Sequence, residues 1–390
     1  MFPIDLQGRK GVYNQIVDNM KLFIEQGIWE PEEELLSVGD FAKALVVNPN
    51  TVKAAYFDLE HQGYLRSEEG QRWFVTSTIS PNLGQFIASG ERTYLQIDKL
   101  TKRFDDVGAL DNLDMRIKKG SIYGLVGVNG SGKTTLIKHL AGLYRPDSGQ
   151  IRLNGILSIY AENVQPFIAG YIPEETAFPP QHDLKTLHKF FRNKHKQTWN
   201  DERYQKLLRL FDLDETQLVR NFSPGMQKQA AFLLAISAMP DVLLLDAAID
   251  AFDPITRRYV LQEIIEDVAD RQMTVLMTSH NGKEIESICD MVGIIDKGRI
   301  IAQRNLEEWK SNLHKLHVLF PPEAFKKHYP YDGLDVLHME ECGNVDVLLV
   351  RGQKSEIAAH INKFHPLLYD HFPITLEELF AYERAGDQFD

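Results

Sequence analysis

The 390-residue sequence predicts a multi-domain α/β protein, and three observations along the chain support this prediction. Between residues 93 and 310, apolar strand-like runs alternate with helical patterns, which is typical of a parallel sheet covered by helices. Residues 1–78 are rich in helical patterns and end in a short strand pair. Residues 311–390 contain strand patterns at His317–Phe320 and Val345–Val350 and a final helical run. We therefore expect an α/β core between an N-terminal helical domain and a small α+β C-terminal domain.

Composition and the boundaries between these segments restrict the class of protein. Residues 79–92 contain Ser, Pro, Asn and Gly and predict a linker. No apolar stretch reaches the roughly 18 residues of a membrane span, and the N-terminus resembles no signal peptide. The two cysteines, Cys289 and Cys342, favour neither a disulfide framework nor a zinc site. With a net charge of −12, we expect a cytoplasmic protein with little non-specific affinity for nucleic acid.

The most specific motif is Gly127–Thr134, with the sequence GVNGSGKT. A strand at Ser121–Val126 before it and a helix at Thr134–Leu143 after it form the expected context of a phosphate-binding P-loop. Lys133 would neutralise phosphate charge, and the Thr134 hydroxyl would bind Mg²⁺. The residues expected to hold ATP in this loop are Asn129, Gly130, Ser131, Gly132, Lys133, Thr134 and Thr135.

A second candidate site, a single carboxylate, follows the apolar run Asp241–Leu245. This run predicts a buried parallel strand. Asp246 comes directly after this run, at the carboxyl edge where open α/β sheets bind ligands. We therefore expect Asp246 to be a magnesium residue beside the P-loop.

Five more motifs accompany these two, in a fixed order along the middle segment. They are Phe104 at a strand end, Gly170–Glu175, Asn221–Gln229, Asp250–Pro254 and Met277–His280. With them, residues 93–310 resemble the nucleotide-binding domain of ABC transporters over its full length. The resemblance implies two domains that meet head to tail with two ATP molecules between them, and hence a homodimer that forms on MgATP.

The resemblance also implies roles for these residues. Phe104 lies where the family places the ring that stacks on adenine, although an ordinary strand-end aromatic is the alternative. Glu174 lies where the family usually has glutamine, close enough to touch Mg²⁺ or its waters. Ser223 and Gly225 open a helix whose N-terminus would face the γ-phosphate bound by a second copy. Asp250 matches the D-loop, and His280 matches the switch histidine.

Ala247 departs from the family pattern, which has a glutamate after the magnesium aspartate to polarise the attacking water. A methyl group can neither accept a proton nor orient water. Three interpretations remain open. Ala247 is natural and makes the chain an ATP-binding switch, it is an engineered substitution that traps the ATP-bound dimer, or Glu174 or Asp250 replaces the glutamate. The engineered interpretation is favoured because the other ATP-positioning motifs are intact. In each case we expect ATP binding to persist. The chain as written is predicted to be deficient in hydrolysis.

The first segment resembles the winged helix-turn-helix head of GntR-type regulators. Its first helix is predicted at Gly11–Met20, and its second begins after the N-cap Ser37. The recognition helix lies within Asn48–Leu65, where Asn50 and Thr51 would cap it and Gly63 would end it. The resemblance implies contacts with a palindromic operator DNA. The residues expected to face DNA are Ser37, Lys43, Asn50, Thr51, Lys53, Arg66 and Arg72.

Charge weighs against DNA binding by this head. Residues 1–90 contain seven Lys or Arg and twelve Asp or Glu, whereas phosphate contacts carry much of DNA affinity. The family usually has arginine at the position of Gly39. Two interpretations remain open, sequence-specific DNA binding or a degenerate head kept for dimerisation or protein contacts.

Residues 311–390 resemble the C-terminal appendage of bacterial export-type ABC ATPases, whose last helix often carries a run like Leu376–Phe380. Seven histidines in this segment show no metal-ligand spacing and are interpreted as surface polar residues. The resemblance implies a regulatory or dimer-supporting role.

Taken together, these resemblances imply the cytoplasmic ATPase subunit of a bacterial ABC exporter. It would energise a separate membrane permease from the inner face of the membrane, and its head would report the nucleotide or transport state to DNA. The alternative is an ATP-sensing transcriptional regulator without a transport role.

Overall fold

A computed structural model gives the fold of the chain. The structure describes residues 4, 11–68, 72–76, 93–157, 169–176, 178–279, 282–321, 330–372 and 374–380. Among them, no helix is both long and apolar enough to cross a membrane.

The N-terminal region, residues 11–76 and called the head below, contains three helices followed by a two-stranded antiparallel sheet. Helices followed by a short strand pair is the order that the sequence patterns predict for this region. Tyr56 and Trp73 are fully buried and meet edge to face at its centre, with ring centroids 5.2 Å apart. The elements are α1 (Val12–Glu25), α2 (Val38–Leu45), α3 (Pro49–His61), β1 (Leu65–Glu68) and β2 (Arg72–Val75).

One helix cap in the head matches its prediction and another does not. The Ser37 hydroxyl accepts from the Asp40 N–H at 3.1 Å and caps α2 as predicted. The prediction that Asn50 and Thr51 cap α3 is wrong. Asn48 is the cap, and its side chain accepts from the Asn50 N–H at 2.7 Å. Pro49 explains the earlier start, because proline is favoured in the first turn of a helix.

The middle region is built on a six-stranded sheet with the order β12-β11-β5-β10-β9-β8, parallel except for β12. Strands and helices alternate along this part of the chain, as the sequence predicts. The elements are β3 (Thr93–Phe104), β4 (Val107–Lys118), β5 (Ile122–Val126), α4 (Lys133–Leu140), β6 (Ser148–Leu153), β7 (Ile156–Leu157), β8 (Ala169–Ile172), α5 (Leu184–Lys194), α6 (Asp201–Leu210), α7 (Pro224–Ser237), β9 (Val242–Leu245), α8 (Pro254–Arg271), β10 (Thr274–Thr278), α9 (Gly282–Ile288), β11 (Met291–Asp296), β12 (Arg299–Asn305) and α10 (Leu306–Asn312).

The parallel strands give this sheet two different edges. The residues of β9 and β10 are all buried, as expected of strands covered on both faces. The loops that follow β5, β8 and β9 lie at the carboxyl edge and carry the predicted P-loop residues, Glu174 and Asp246. The opposite, amino edge is bounded by Gly120 before β5 and Asp290 before β11. A separate antiparallel sheet, with the order β4-β3-β6-β7, packs beside α4.

The C-terminal region forms a four-stranded antiparallel sheet with one helix packed against it. The strand order is β14-β15-β13-β16, and Leu316, Leu348 and Ile361 are fully buried between the sheet and the helix. The elements are β13 (Leu313–Leu319), β14 (Asp335–Cys342), β15 (Val345–Arg351), α11 (Lys354–Asn362) and β16 (Leu368–Phe372), with a further helix at 376–380.

The interpretation of the C-terminal histidines as surface residues is wrong for His314. This side chain is only 5% exposed, and its Nδ1 lies 2.8 Å from Nε2 of His371. Its Nε2 lies 3.0 Å from the Gly352 carbonyl oxygen. Burial lowers the pKa of His314, so the ring is a neutral core residue. The described residues contain no metal-binding cluster of three or more His, Cys, Asp or Glu side chains.

Candidate nucleotide site

The loop Gly127–Thr134 has the backbone that a phosphate cradle requires. Gly130 and Gly132 have φ angles of +79° and +111°, which side-chain-bearing residues rarely adopt. A Cβ at Gly132 would lie 2.6 Å from the Ala109 carbonyl oxygen. The Lys133 Nζ donates to the carbonyl oxygens of Gly127 (2.7 Å) and Val128 (3.0 Å) and so folds over the loop.

This loop forms one wall of a cavity of about 380 Å³ at the carboxyl edge of the sheet. The Ser131 hydroxyl is buried and has no hydrogen-bond partner among the described residues. An unpaired buried hydroxyl beside the glycine cradle fits a phosphate group. The cavity is lined by Val107, Gly108, Ala109, Asn129, Gly130, Gly132, Lys133, Thr134, Thr135, Glu174, Asp246, Ala247, Thr278 and Ser279.

The electrostatics of this cavity also suit a magnesium-bound phosphate. Burial lowers the pKa of Lys133, and the nearby carboxylates of Asp246 and Glu174 oppose that shift. Thr134, Asp246 and Glu174 all line the cavity and offer the oxygen ligands that Mg²⁺ prefers. When bound, the ion would neutralise phosphate charge.

A buried threonine positions Asp246 and the backbone beside it. The Thr278 hydroxyl donates to Asp246 Oδ1 at 3.1 Å and accepts from the Ala247 N–H at 2.8 Å. Ala247 lines the cavity directly after Asp246. Sequence reasoning missed Thr278, although its position at the end of an apolar strand was a usable signal.

Lys228 connects the helix of the Asn221–Gln229 motif to the Glu174 loop. Its Nζ donates to the carbonyl oxygens of Pro173 (2.7 Å) and Glu174, and its side chain is nearly inaccessible to solvent. Burial lowers the pKa of Lys228, and Glu174 is the largest opposing charge. Lys228 therefore ties α7 to the loop that lines the cavity. No sequence pattern identified this role for Lys228.

Asp250 lies in a polar cluster behind the cavity wall. Ser279, which lines the cavity, donates to Asp250 Oδ1 (2.7 Å) and contacts Glu284 Oε2 (3.2 Å), while Arg257 pairs with Glu284. Burial, and then the hydrogen bond and charge of Asp250, raise the pKa of Glu284 to about 7. Proximity of the two carboxylates thus favours the protonated form of Glu284, and Arg257 supplies a positive charge beside it. Sequence reasoning missed Glu284 because it belongs to no motif.

The other predicted ATP residues lie away from this wall. The Phe104 ring packs edge to face against Tyr144, with centroids 5.3 Å apart, and is 40% exposed. Ser223 is exposed and caps α7 by accepting from the Met226 N–H at 3.2 Å. Gly225 follows it in the first turn, and neither residue is among those that line the cavity. His280 lies outside the described residues.

The residues predicted to face DNA are largely engaged within the chain. Lys43 pairs with Glu266 of α8, and the Asn50 side chain contacts Gly120 and Asp290. Ser37 caps α2, Thr51 lies beside the Asn50 contacts, and Lys53 is exposed.

The two wing arginines are held by carboxylates of the head. Arg66 pairs with Glu32 at 2.7 Å and Glu68 at 3.0 Å. Arg72 pairs with Glu34 at 2.7 Å. The structure thus provides no common basic face from the seven predicted side chains.

The fold and cavity define a P-loop nucleotide-binding protein, and comparison with known proteins gives its family. The family model described as "ABC transporter" matches residues 110–250. The ABC transporter ATP-binding protein YtrB of Bacillus subtilis is 28% identical over 75% of this chain and 98% of its own length. The daunorubicin resistance ATP-binding protein DrrA3 of Streptomyces coeruleorubidus is 31% identical over 56% of this chain and 70% of its own length.

The chain belongs to the family of ABC transporter ATP-binding proteins. Members of this family bind ATP, typically with Mg²⁺, and hydrolyse it. A solved structure of an ATP-binding subunit of an ABC transporter matches 55% of this chain and 91% of its own chain. The TM-score is 0.50 and the sequence identity is 24%. This match confirms the fold of the middle region.

Proposed function

We propose that this chain is the ATP-binding subunit of a bacterial ABC exporter and works with a membrane permease encoded separately. The observation that carries the proposal is the cavity at the carboxyl edge, where Lys133, Thr134, Asp246 and Glu174 converge. The names of its relatives support export of antibiotic-like compounds, since they include daunorubicin resistance and linearmycin resistance ATP-binding proteins and a bacitracin transport ATP-binding protein. The working place of the chain is then the inner face of the membrane.

Each residue of the site has a proposed role. Lys133 leaves the carbonyl groups of Gly127 and Val128 to pair with the phosphates, and the P-loop N–H groups donate to them. Thr134 and Asp246 hold Mg²⁺, with Glu174 reaching the ion or its waters. His280 senses the γ-phosphate, and Phe104 stacks on adenine after its ring turns from Tyr144.

The active form is a homodimer with MgATP at the interface. Ser223 and Gly225 lie at the N-terminus of a 14-residue helix, away from the cavity of their own chain. A helix N-terminus favours negative charge, so an exposed one fits the γ-phosphate held by a second copy. The two copies then complete each other's sites.

Ala247 makes this chain a slow or inactive ATPase. Of the two residues that could replace the missing glutamate, Glu174 lines the cavity, whereas Asp250 is held behind the wall by Ser279 and Glu284. We therefore favour Glu174 for any residual hydrolysis. Whether Ala247 is natural or engineered does not alter the proposed ATP binding.

A groove beside the Glu174 loop is the proposed contact for the permease. It lies between β8 and the helices α5 and α7, and its apolar lining includes Tyr171, Phe178, Phe191 and Leu234. The loop that begins in this groove continues to Glu174 in the cavity. A helix of the permease seated here would therefore sense the nucleotide directly.

Co-purification tests the transport proposal against an ATP-sensing regulator. We expect the chain to co-purify from detergent-solubilised membranes with a protein of about six apolar segments encoded beside it. Phe191→Ala should weaken this association, because it removes a ring from the groove. Phe190→Ala is the matched control, since Phe190 is exposed and does not line the groove. Recovery of both variants with equal permease would contradict the groove, and no permease in any sample would favour the regulator.

A further inference from the structure

Helix α2 of the head packs closely against the C-terminal half of α8, and Gly39 permits this approach. A Cβ at Gly39 would lie 3.1 Å from the Ala269 Cβ and 3.3 Å from Asp270 Oδ1. A bulky side chain at position 39 would therefore push the two helices apart. The GntR-type family usually has arginine at this position, whereas the contact between α2 and α8 requires a glycine.

The N-terminus of α3 is fixed to the amino edge of the sheet by side-chain amides. Asn48 donates to the Ile288 carbonyl oxygen at 2.6 Å and is 2% exposed. Asn50 donates to the Gly120 carbonyl oxygen at 3.0 Å and to Asp290 Oδ2 at 2.9 Å. Buried carbonyl and carboxylate groups require such partners, so separating the head would leave them unpaired unless water entered.

Charged and apolar contacts extend the same interface. Lys43 pairs with Glu266, and the Gln262 side chain donates to the Lys43 carbonyl oxygen at 3.1 Å. Phe41 and Ala42 of α2 belong to the same continuous apolar cluster as Ile265 and Val268 of α8, among other residues. The head and the middle region thus share one hydrophobic core, which a loosely attached domain would not.

Helix α8 leads from this interface to the D-loop beside the nucleotide cavity. It contains 18 residues, or about 27 Å at 1.5 Å per residue. Asp253 caps its N-terminus, and Arg257 in its first turns donates to the Phe252 carbonyl oxygen at 3.0 Å and pairs with Glu284. The head is attached to the other end of the same rigid element.

We propose that the head is a docking domain for the ABC domain of its own chain, and that α8 couples docking to the nucleotide state at the D-loop. Part of the surface predicted to face DNA, Lys43 of α2 and Asn50 of α3, lies in this docked interface. Docking and DNA contact through this surface therefore exclude each other. The docking is inferred from the contacts of α2 and α3 with α8 and the amino edge of the sheet. Its coupling to nucleotide rests in addition on the proposed ATP function.

Disulfide trapping in the full chain tests the docking. Gly39→Cys and Ala269→Cys would place two Cβ atoms 3.1 Å apart in the docked state, so a small outward shift gives the separation of about 3.5 to 4.5 Å that a disulfide requires. Cys342→Ser removes the exposed native thiol. We expect an intramolecular cross-link on mild oxidation, seen by mass spectrometry. Ala44→Cys with Ala269→Cys is the matched control because Ala44 is an exposed residue of α2. Equal cross-linking of the two pairs, or none of the first, would overturn docking.

Nucleotide affinity tests the coupling separately. Binding is reciprocal, so a head that responds to MgATP must change MgATP affinity when it is released. We expect Gly39→Arg to change the Kd for MgATP by about fivefold or more, and Ala44→Arg to leave it unchanged. Lys43→Glu, rescued by Glu266→Lys, provides a second, milder pair. Equal affinities in all variants would overturn the coupling, whereas failure of the unmodified chain to bind MgATP would contradict the proposed function instead.

Retention of DNA from a pool of random-sequence duplexes tests whether docking and DNA contact exclude each other. The cross-linked chain should retain less DNA than the same chain after reduction. Equal retention of DNA by the locked and reduced forms would overturn mutual exclusion.

Discussion

Ala247→Glu should raise steady-state ATP turnover by about a hundredfold or more, since a positioned general base contributes on the order of 10² to 10⁴ in rate. Residue 247 already lines the cavity, and its N–H donates to the Thr278 hydroxyl at 2.8 Å. A carboxylate there would lie beside Asp246 and could orient water toward the γ-phosphate. Turnover is measured at saturating MgATP and high protein concentration, so that dimers assemble.

Ala247→Gln is the control for this experiment. Glutamine matches the size of glutamate and can hydrogen-bond to water, but it accepts no proton at neutral pH. We expect it to bind MgATP as tightly as the glutamate variant with little gain in turnover. A glutamate variant that dimerises on MgATP and remains as slow as the parent chain would contradict the assignment of position 247.

Arg203→Ala should destabilise the middle region by about 3 kcal/mol, the cost of leaving buried carboxylates without their partner. Arg203 of α6 pairs with Glu263 at 3.0 Å and with Asp267, both on α8, and all three side chains are at most 10% exposed. Arg271 still contacts Asp267, and Lys206 still contacts Glu263. We therefore expect the lower end of the roughly 3 to 5 kcal/mol that removing one partner of a buried ion pair costs. The measurement is the free energy of unfolding in urea.

Lys206→Ala is the matched control, because Lys206 contacts the same Glu263 from a half-exposed position. Exposed ion pairs contribute little, so its loss should cost less than about 1 kcal/mol. Equal effects of the two substitutions would show that burial of the Arg203 pairs does not stabilise the link between α6 and α8.

Features fixed by local chemistry were predictable from the sequence. The P-loop needs glycines at left-handed backbone positions and a lysine at its end, so Gly130, Gly132 and Lys133 identify it without any tertiary information. The burial of β9 and β10 followed from uninterrupted apolar runs. Pro49 also held a local signal for the cap at Asn48, which the interpretation of Asn50 as the cap overlooked.

Features fixed by distant partners were not predictable. Asn50 meets Asp290, which lies 240 residues further along the chain, and no local pattern distinguishes an asparagine that docks from one that reads DNA. Glu284 reaches its role only because the fold brings it to Asp250 and Arg257. His314 has the sequence context of a surface residue and is buried by its pairing with His371. In each case the partner residue lies outside the local sequence, so neither segment alone reveals the interaction.

Sedimentation velocity of the unmodified chain with and without MgATP tests the central claim most directly. The proposed function predicts a monomer without nucleotide and a dimer with MgATP, because Ser223 of each copy completes the site of the other. Ser223→Arg should bind MgATP and remain monomeric, since a long side chain at an exposed helix N-terminus would obstruct the interface. An unmodified chain that binds MgATP and stays monomeric at high concentration would contradict the account.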